Sequence, residues 1–159
     1  MRKSYKGLFN PTNPKKYVGN TKQIVYRSLL ERRFMRYCDL NPDILFWASE
    51  ELPVRYYSPL DNKWHRYFPD FIIKTVNNEK FMIEIKPSRQ VGKPKTPKKK
   101  TKSYMRENFE YIKNQAKWAA AKNYCEDNNM KFKIITEKEV PKSAPVAEMK
   151  CGEGKCGSM

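Results

Sequence analysis

The chain has 159 residues, with 33 Lys and Arg against 17 Asp and Glu, a net charge of +16 at pH 7 and a pI near 9.7. That length suits one modest domain rather than two independent cores, and the charge calls for a polyanionic partner. No apolar run approaches the roughly twenty residues of a membrane span and no amphipathic Lys-rich segment leads into an apolar anchor, so a membrane is set aside in favour of nucleic acid.

The amino-terminal stretch lacks the apolar core and small-residue cleavage site of a secretory signal, and an intracellular location is expected. Residues 1–20 carry Gly7, Pro11, Pro14 and Gly19 among basic and aromatic side chains and read as a basic extended arm. Thr21 is a candidate cap for a first helix that runs to Leu40, where Asn41-Pro42 supplies a stop. On its helical wheel Tyr26, Leu29, Leu30, Phe34, Tyr37 and Leu40 share one apolar face, and a narrower stripe holds Ile24, Glu31, Met35 and Cys38. A carboxylate among three apolar residues requires a partner charge or a cation.

The segment ILFWASEELPVRYY, residues 44–57, predicts a strand broken at Pro53, followed by a turn over 58–63. Residues 65–75 and 80–87 predict a hairpin with Asn77 and Asn78 at its tip. After Pro87 comes SRQVGKPKTPKKKTK, a proline-punctuated basic loop over 88–103. A second long helix is expected over 104–128 with Trp118 in the core, and KFKIIT, residues 131–136, makes a last strand. The expected domain, residues 21–140, is α/β (α+β), with a small mixed central sheet flanked by helices. Cys38 and Cys125 read as core thiols. Residues 141–159 form a tail in which Cys151 and Cys156 have the spacing of a metal clip or a disulfide, but a tetrahedral zinc site needs two further ligands and His65 is the only histidine.

Within the predicted hairpin, alternation puts Glu84 and Lys86 on one face and Phe81, Ile83 and Ile85 on the other. In the preceding strand Phe71 and Ile73 oppose Phe68, Asp70 and Ile72. Matching the apolar sets requires an odd-length loop or a bulge, which brings Asp70 level with Glu84 or Lys86. Two carboxylates at about 4 Å repel by roughly 4 kcal/mol at an effective dielectric near 20, so a cation must sit among them. Two readings remain open on these residues alone. Lys86 makes a structural ion pair, or Asp70, Glu84 and the carbonyl of Ile85 hold Mg²⁺ (or Mn²⁺) and an acidified water, with Lys86 beside it.

The Pro69-Asp70 pair, thirteen residues and then Glu84-Ile85-Lys86 resemble the PD-(D/E)xK signature of the restriction-endonuclease-like nucleases. The series YRSLLERRF, NPDILFWASEELPVRYY, RYFPDFII, MIEIKPSRQ and KWAAAKNYCEDNNMKFKIITE, over residues 15–140, resembles in order and spacing the head completion proteins of T-even-type tailed phages, and more distantly the TnsA-type transposon endonucleases. The resemblance implies a restriction-endonuclease-like core, Asp70, Glu84 and Lys86 as catalytic and metal-binding residues, and Glu31 assisting from the helix. Glu50 also matches, either completing a second metal position or bonding the sheet. It further implies a nuclease acting on packaged DNA in the virion, near the portal and neck proteins, with no small-molecule cofactor.

Lys93, Lys95, Lys98, Lys99, Lys100 and Lys102 lie close after Lys86 and suit phosphate contacts to double-stranded DNA without sequence choice. Arg66, Lys113 and Lys117 are further candidate phosphate contacts, and His65 reads as a strand-end surface residue. Two function classes follow: a Mg²⁺-dependent DNA endonuclease acting before head and tail join, or a non-catalytic plug that grips the DNA end with the same basic surface.

Overall fold

The structure, a computed structural model, describes residues 5–140. Cys151 and Cys156, and with them the metal-clip and disulfide readings, lie outside the described residues. In chain order the elements are β1 (Gly7–Leu8), β2 (Val25–Tyr26), α1 (Leu29–Leu40), β3 (Ile44–Ser49), β4 (Val54–Ser58), β5 (Lys63–Tyr67), β6 (Phe71–Thr75), β7 (Lys80–Ile85), α2 (Lys102–Asp127) and β8 (Lys131–Ile135). Short 3-10 turns at Pro14–Lys16 and Ser88–Gln90 complete the set.

The central sheet has the order β3-β6-β7-β8. The first two pairings are antiparallel and the last is parallel, with α2 as the crossover from β7 to β8. This is the mixed sheet flanked by helices that the apolar runs predict, and it has the character of a restriction-endonuclease-like core. A strand covered on both faces loses its polar alternation, and β7 does so: Met82, Ile83, Glu84 and Ile85 are all buried. Ile83 and Ile85 join Phe71, Ile73 and Trp47 against Phe34, Met35 and Cys38 of α1. On the opposite face Met82, with Ile72, packs against Trp118, Ala121 and Cys125 of α2 and against Val54, Tyr56 and Tyr67 of the β4–β5 hairpin. Cys38, Cys125 and Trp118 are core residues, as expected.

The turn between β6 and β7 sets the register. Thr75 N–H donates to the Glu79 carbonyl at 2.9 Å and Asn78 N–H to the Thr75 carbonyl at 3.0 Å, closing a loop over Val76, Asn77 and Asn78. Asn78 takes the left-handed conformation, φ 64°, that this closure demands and that asparagine tolerates. The loop length is odd, so Phe71 pairs with Ile83 and Ile73 with Phe81, the register that matching the apolar faces requires.

Three local expectations are corrected. The first helix begins at Leu29, not near Thr21, because Ser28 is its N-cap: the hydroxyl accepts from Glu31 N–H at 3.1 Å. Val25 and Tyr26 are meanwhile paired with Gly7 and Leu8 in a two-stranded ribbon. The buried face of α1 is therefore Phe34, Met35 and Cys38, while Leu29, assigned to the dominant stripe, is 41% exposed. The segment expected as one strand over 65–75 is split at Phe68-Pro69-Asp70: β5 pairs with β4 in a sheet of its own, and β6 joins the central sheet.

The described part of the arm is docked rather than free. Tyr17 is buried against Trp47 with ring centroids 4.7 Å apart, and Val18 N–H donates to the Trp47 carbonyl at 2.8 Å. Asp39, only 1% exposed, receives the backbone N–H groups of Thr12 at 2.7 Å and Asn13 at 3.0 Å. Lys16 Nζ caps the end of α1 through the carbonyls of Asp39 (3.1 Å) and Asn41 (2.8 Å). Asp39→Ala strips the backbone N–H groups of Thr12 and Asn13 of their buried acceptor and is expected to cost about 2 kcal/mol, read by urea denaturation. Tryptic cleavage at Lys15 and Lys16 should accelerate at the same time; unchanged cleavage would mean that Asp39 does not anchor the segment.

Candidate active site

The open end of the sheet is where three chain reversals meet. β3 ends at Ser49, β6 begins at Phe71 and β7 ends at Ile85, so the ladder places Glu50, Asp70 and Glu84 side by side: Ser49 pairs with Phe71 and Phe71 with Ile83. Glu50 N–H donates to the Asp70 carbonyl at 3.2 Å. Asp70 Oδ2 accepts from Ile85 N–H at 2.8 Å, which fixes the carboxylate over the end of β7. Glu84, 4% exposed, accepts at Oε2 from the Tyr67 hydroxyl and lies with Oε1 3.6 Å from Lys86 Nζ.

Burial pushes the Asp70 carboxyl well above the usual carboxylate range, and the neighbouring charges of Glu84 and Glu31 push it the same way, against the Ile85 hydrogen bond and Lys86. Burial also raises Glu84, opposed by the Tyr67 hydrogen bond and by Lys86 and Lys117. The carboxylates resist ionisation where they stand, and the lysines only partly compensate.

Glu31 sits in the first turn of α1. Its Oε2 accepts from Arg27 N–H at 3.1 Å, and burial raises its carboxyl, helped by the charge of Glu50. Glu50 takes a left-handed backbone, φ 53°, which for a glutamate costs about 1 kcal/mol or more. Its carboxylate pairs with the Arg27 guanidinium. Arg27 thus links the helix acid to the acid at the end of β3, a role the sequence reading did not give it.

The other expected site residues divide by location. Lys117 projects from α2 over the rings of Tyr67 at 5.4 Å and Tyr56 at 5.9 Å. Burial lowers its ammonium and Lys113 adds repulsion, while Glu84 attracts it. It therefore stands on the α2 side of Glu84, next to Tyr67. Lys113 pairs with Glu110 at 3.0 Å. Lys93, Lys95, Lys98, Lys99, Lys100 and Lys102 are all exposed. A cleft of about 490 Å³ opens beside Lys86, between Arg89 and Pro94 of the basic loop and Arg106, Glu110 and Asn114 of α2. Arg66 is instead on the outer side of the β4–β5 hairpin, and His65, exposed, is held by Asp61 at 2.7 Å.

Among the described residues no three His, Cys, Asp or Glu side chains form a ready cage for a metal. The donors present are two hard carboxylates, Asp70 and Glu84, with the Ile85 carbonyl at the same strand end. Such a set suits Mg²⁺, which commonly takes one or two protein carboxylates and keeps several waters. The elevated, mutually repelling acids fit a divalent cation electrostatically. Tyr67 is the residue that spacing did not reveal: its hydroxyl reaches Glu84 only because β5 folds back on β4 and turns its inner face to α2.

Residues 41–137 match the family described as TnsA-like endonuclease N terminal. Over 138 residues, covering 84% of this chain and 92% of its relative, the sequence is 37% identical to the head completion nuclease of Enterobacteria phage T4. The family match spans Glu50, Asp70, Glu84 and Lys86 and begins after Glu31. With that span over the sheet that carries the acids, the chain belongs to the TnsA-like endonuclease family and shares its restriction-endonuclease-like fold with the phage head completion nucleases.

Proposed function

We propose that the protein is a divalent-metal-dependent DNA endonuclease, a phage head completion nuclease that acts on packaged DNA during capsid maturation, before head and tail join. The observation that carries this reading is the meeting of Asp70 and Glu84 on adjacent strand ends, raised together by burial, with Lys86 3.6 Å from Glu84. Asp70, Glu84 and the Ile85 carbonyl are the groups to hold Mg²⁺ or Mn²⁺; Glu31, with Glu50 tied to it through Arg27, extends the acidic rim. When bound, such an ion acidifies a water and draws charge from the phosphate oxygens.

The protein's own groups prepare that chemistry. Ile85 N–H and Tyr67 hold the two carboxylates in single orientations, so little reorganisation is left for the reaction. Lys86 keeps its ammonium at the carboxylate edge, where it can orient a water and offset charge developing on the phosphate. Lys117, half-buried behind Glu84, adds positive potential from the α2 side. The lysines of residues 93–102 supply contacts to duplex DNA that are independent of sequence and weaken with salt. Portal and neck proteins are the expected neighbours in the virion.

Asp70→Asn with Glu84→Gln is expected to lower Mg²⁺-dependent cleavage of linear or branched DNA by about 10³-fold, with duplex affinity kept within about twofold because the lysine contacts that set it are unchanged. Normal maturation of heads carrying that pair of changes would instead favour the plug reading, in which the acids are structural.

The same substitutions report on the site without any cleavage. Carboxyls raised above their unfolded values cost no stability below the unfolded carboxyl range; the penalty grows as the pH climbs from there and is complete once it passes the raised values. The double variant is therefore expected to be more stable than the parent at alkaline pH, by about 1–2 kcal/mol, with the gap narrowing as the pH falls through the raised values and closing only below the unfolded carboxyl range. Mg²⁺ should raise the melting temperature of the parent and not of the variant. Equal shifts in both proteins would remove Asp70 and Glu84 as ligands.

A further inference from the structure

The outer face of the β4–β5 hairpin plays no part in the chemistry above, yet its composition is unusual for a surface in water. Alternation turns Val54, Tyr56 and Tyr67 inward to α2 and leaves Arg55 and Tyr57 on the other side, directly across from Arg66 and Trp64. Trp64 is 61% exposed, Tyr57 47%, and Phe68, just past the strand, 41%. The Tyr57 and Trp64 rings meet edge to face at 5.5 Å. The Arg55 guanidinium lies 5.2 Å from the Trp64 centroid and that of Arg66 lies 6.0 Å from Phe68.

The hairpin forms a two-stranded sheet of its own, so no further strand pairs with it among the described residues. Placing Arg55 opposite Arg66 is unfavourable by itself, and neither forms an ion pair with an acid among the described residues. The nearby acid, Asp61 at the tip, is held by His65. Rings kept in water and guanidinium groups left facing each other are both accounted for by one ligand chemistry, bases free to stack on the rings and phosphates to lie between the arginines. A closed duplex offers phosphates but no base face.

We propose that this outer face, built from Arg55, Tyr57, Trp64, Arg66 and Phe68, is a binding platform for single-stranded DNA, such as a frayed end or the unpaired arm of a branch. Phe68 is followed directly by Pro69 and Asp70, so the platform joins the carboxylate site through the chain itself. As a statement about which DNA is cut, this rests on the nuclease reading; as a statement about binding, it does not.

The test uses the tryptophans already present. Trp47 and Trp118 are 1% and 4% exposed, so quenching of the chain's fluorescence by a short oligothymidylate reports on Trp64. Quenching is expected in the parent and equally in the Asp70→Asn, Glu84→Gln protein. For variants that lack Trp64 the anisotropy of a labelled oligonucleotide is the readout: Tyr57→Ala with Trp64→Ala should weaken binding of the single strand about tenfold or more while leaving duplex affinity within about twofold. Trp64→Phe, which keeps a ring and guards against a folding defect, should retain most of the affinity. An absence of quenching overturns the platform, as does an equal loss of single-strand and duplex binding. Self-association that Trp64→Ala abolishes, in a protein that no oligonucleotide quenches, would mark the face as a contact between copies and overturn it too. Cleavage that fails while quenching persists counts against the nuclease reading alone; cleavage that persists without quenching counts against the platform alone.

Discussion

The pairing of β6 with β7 is the constraint on which the rest of the structure depends. A shift of one residue would send Asp70 to the α1 side of the sheet, away from Glu84, and would turn Phe71 and Ile73 out of the core. Because the same register satisfies the hydrophobic faces and assembles the acids, apolar burial drives a step that electrostatics opposes. Asn78 makes that register possible by accepting a left-handed backbone, and the deeply buried Phe71 and Ile83 hold it.

What the core enforces, the surrounding polar groups make tolerable. Ile85 N–H, the Tyr67 hydroxyl, Lys86 and Lys117 each soften the charge of a carboxylate without neutralising it. Lys117 is itself penalised by burial and steadied by the faces of two tyrosines. The left-handed Glu50 adds backbone strain at the same sheet end. An arrangement in which like charges, a desolvated lysine and a strained residue converge is costly for folding alone. On the proposed reading the arrangement is a site prepared for a divalent cation and a phosphate, whose charges would offset most of these costs.

Much of this was legible in the sequence, for identifiable reasons. Two-residue alternation reported which side chains share a face, and the requirement that the apolar sets match fixed a register with Asp70 level with Glu84 or Lys86; the three-residue turn decides for Glu84. Trp118 and the cysteines of the helices read as core because their neighbours are apolar. The start of α1 was missed because Ile24 and Tyr26 fall on a helical wheel as well as on a ribbon, although Ser28 followed three residues later by Glu31 is a capping signal. Asp39 and Tyr17 were silent because each acts on residues more than twenty positions away. Tyr67 and Lys117 meet at Glu84 through the packing of α2 on the hairpin, an angle no local pattern encodes. The split at Phe68-Pro69-Asp70 was decisive here: once β5 leaves the central sheet, Arg66 lies on an outer face among exposed rings.

That split also separates the two surfaces proposed above for nucleic acid. The lysines of residues 93–102 are flexible point charges on a proline-punctuated loop, suited to a backbone of any sequence and to a duplex of uniform shape. The hairpin offers rigid rings and planar guanidinium groups, which respond to whether bases are paired. α2 connects the two. Its amino-terminal part borders the cleft beside Lys86, and farther along it carries Lys117 and Trp118 against the inner face of the hairpin. On the proposed reading, affinity and discrimination would fall to separate elements anchored on one helix, with the carboxylates at the end of the sheet. A net charge of +16 alone favours any polyanion; on the platform proposed above, the uncharged rings are what would distinguish an end or a branch from the continuous duplex around it.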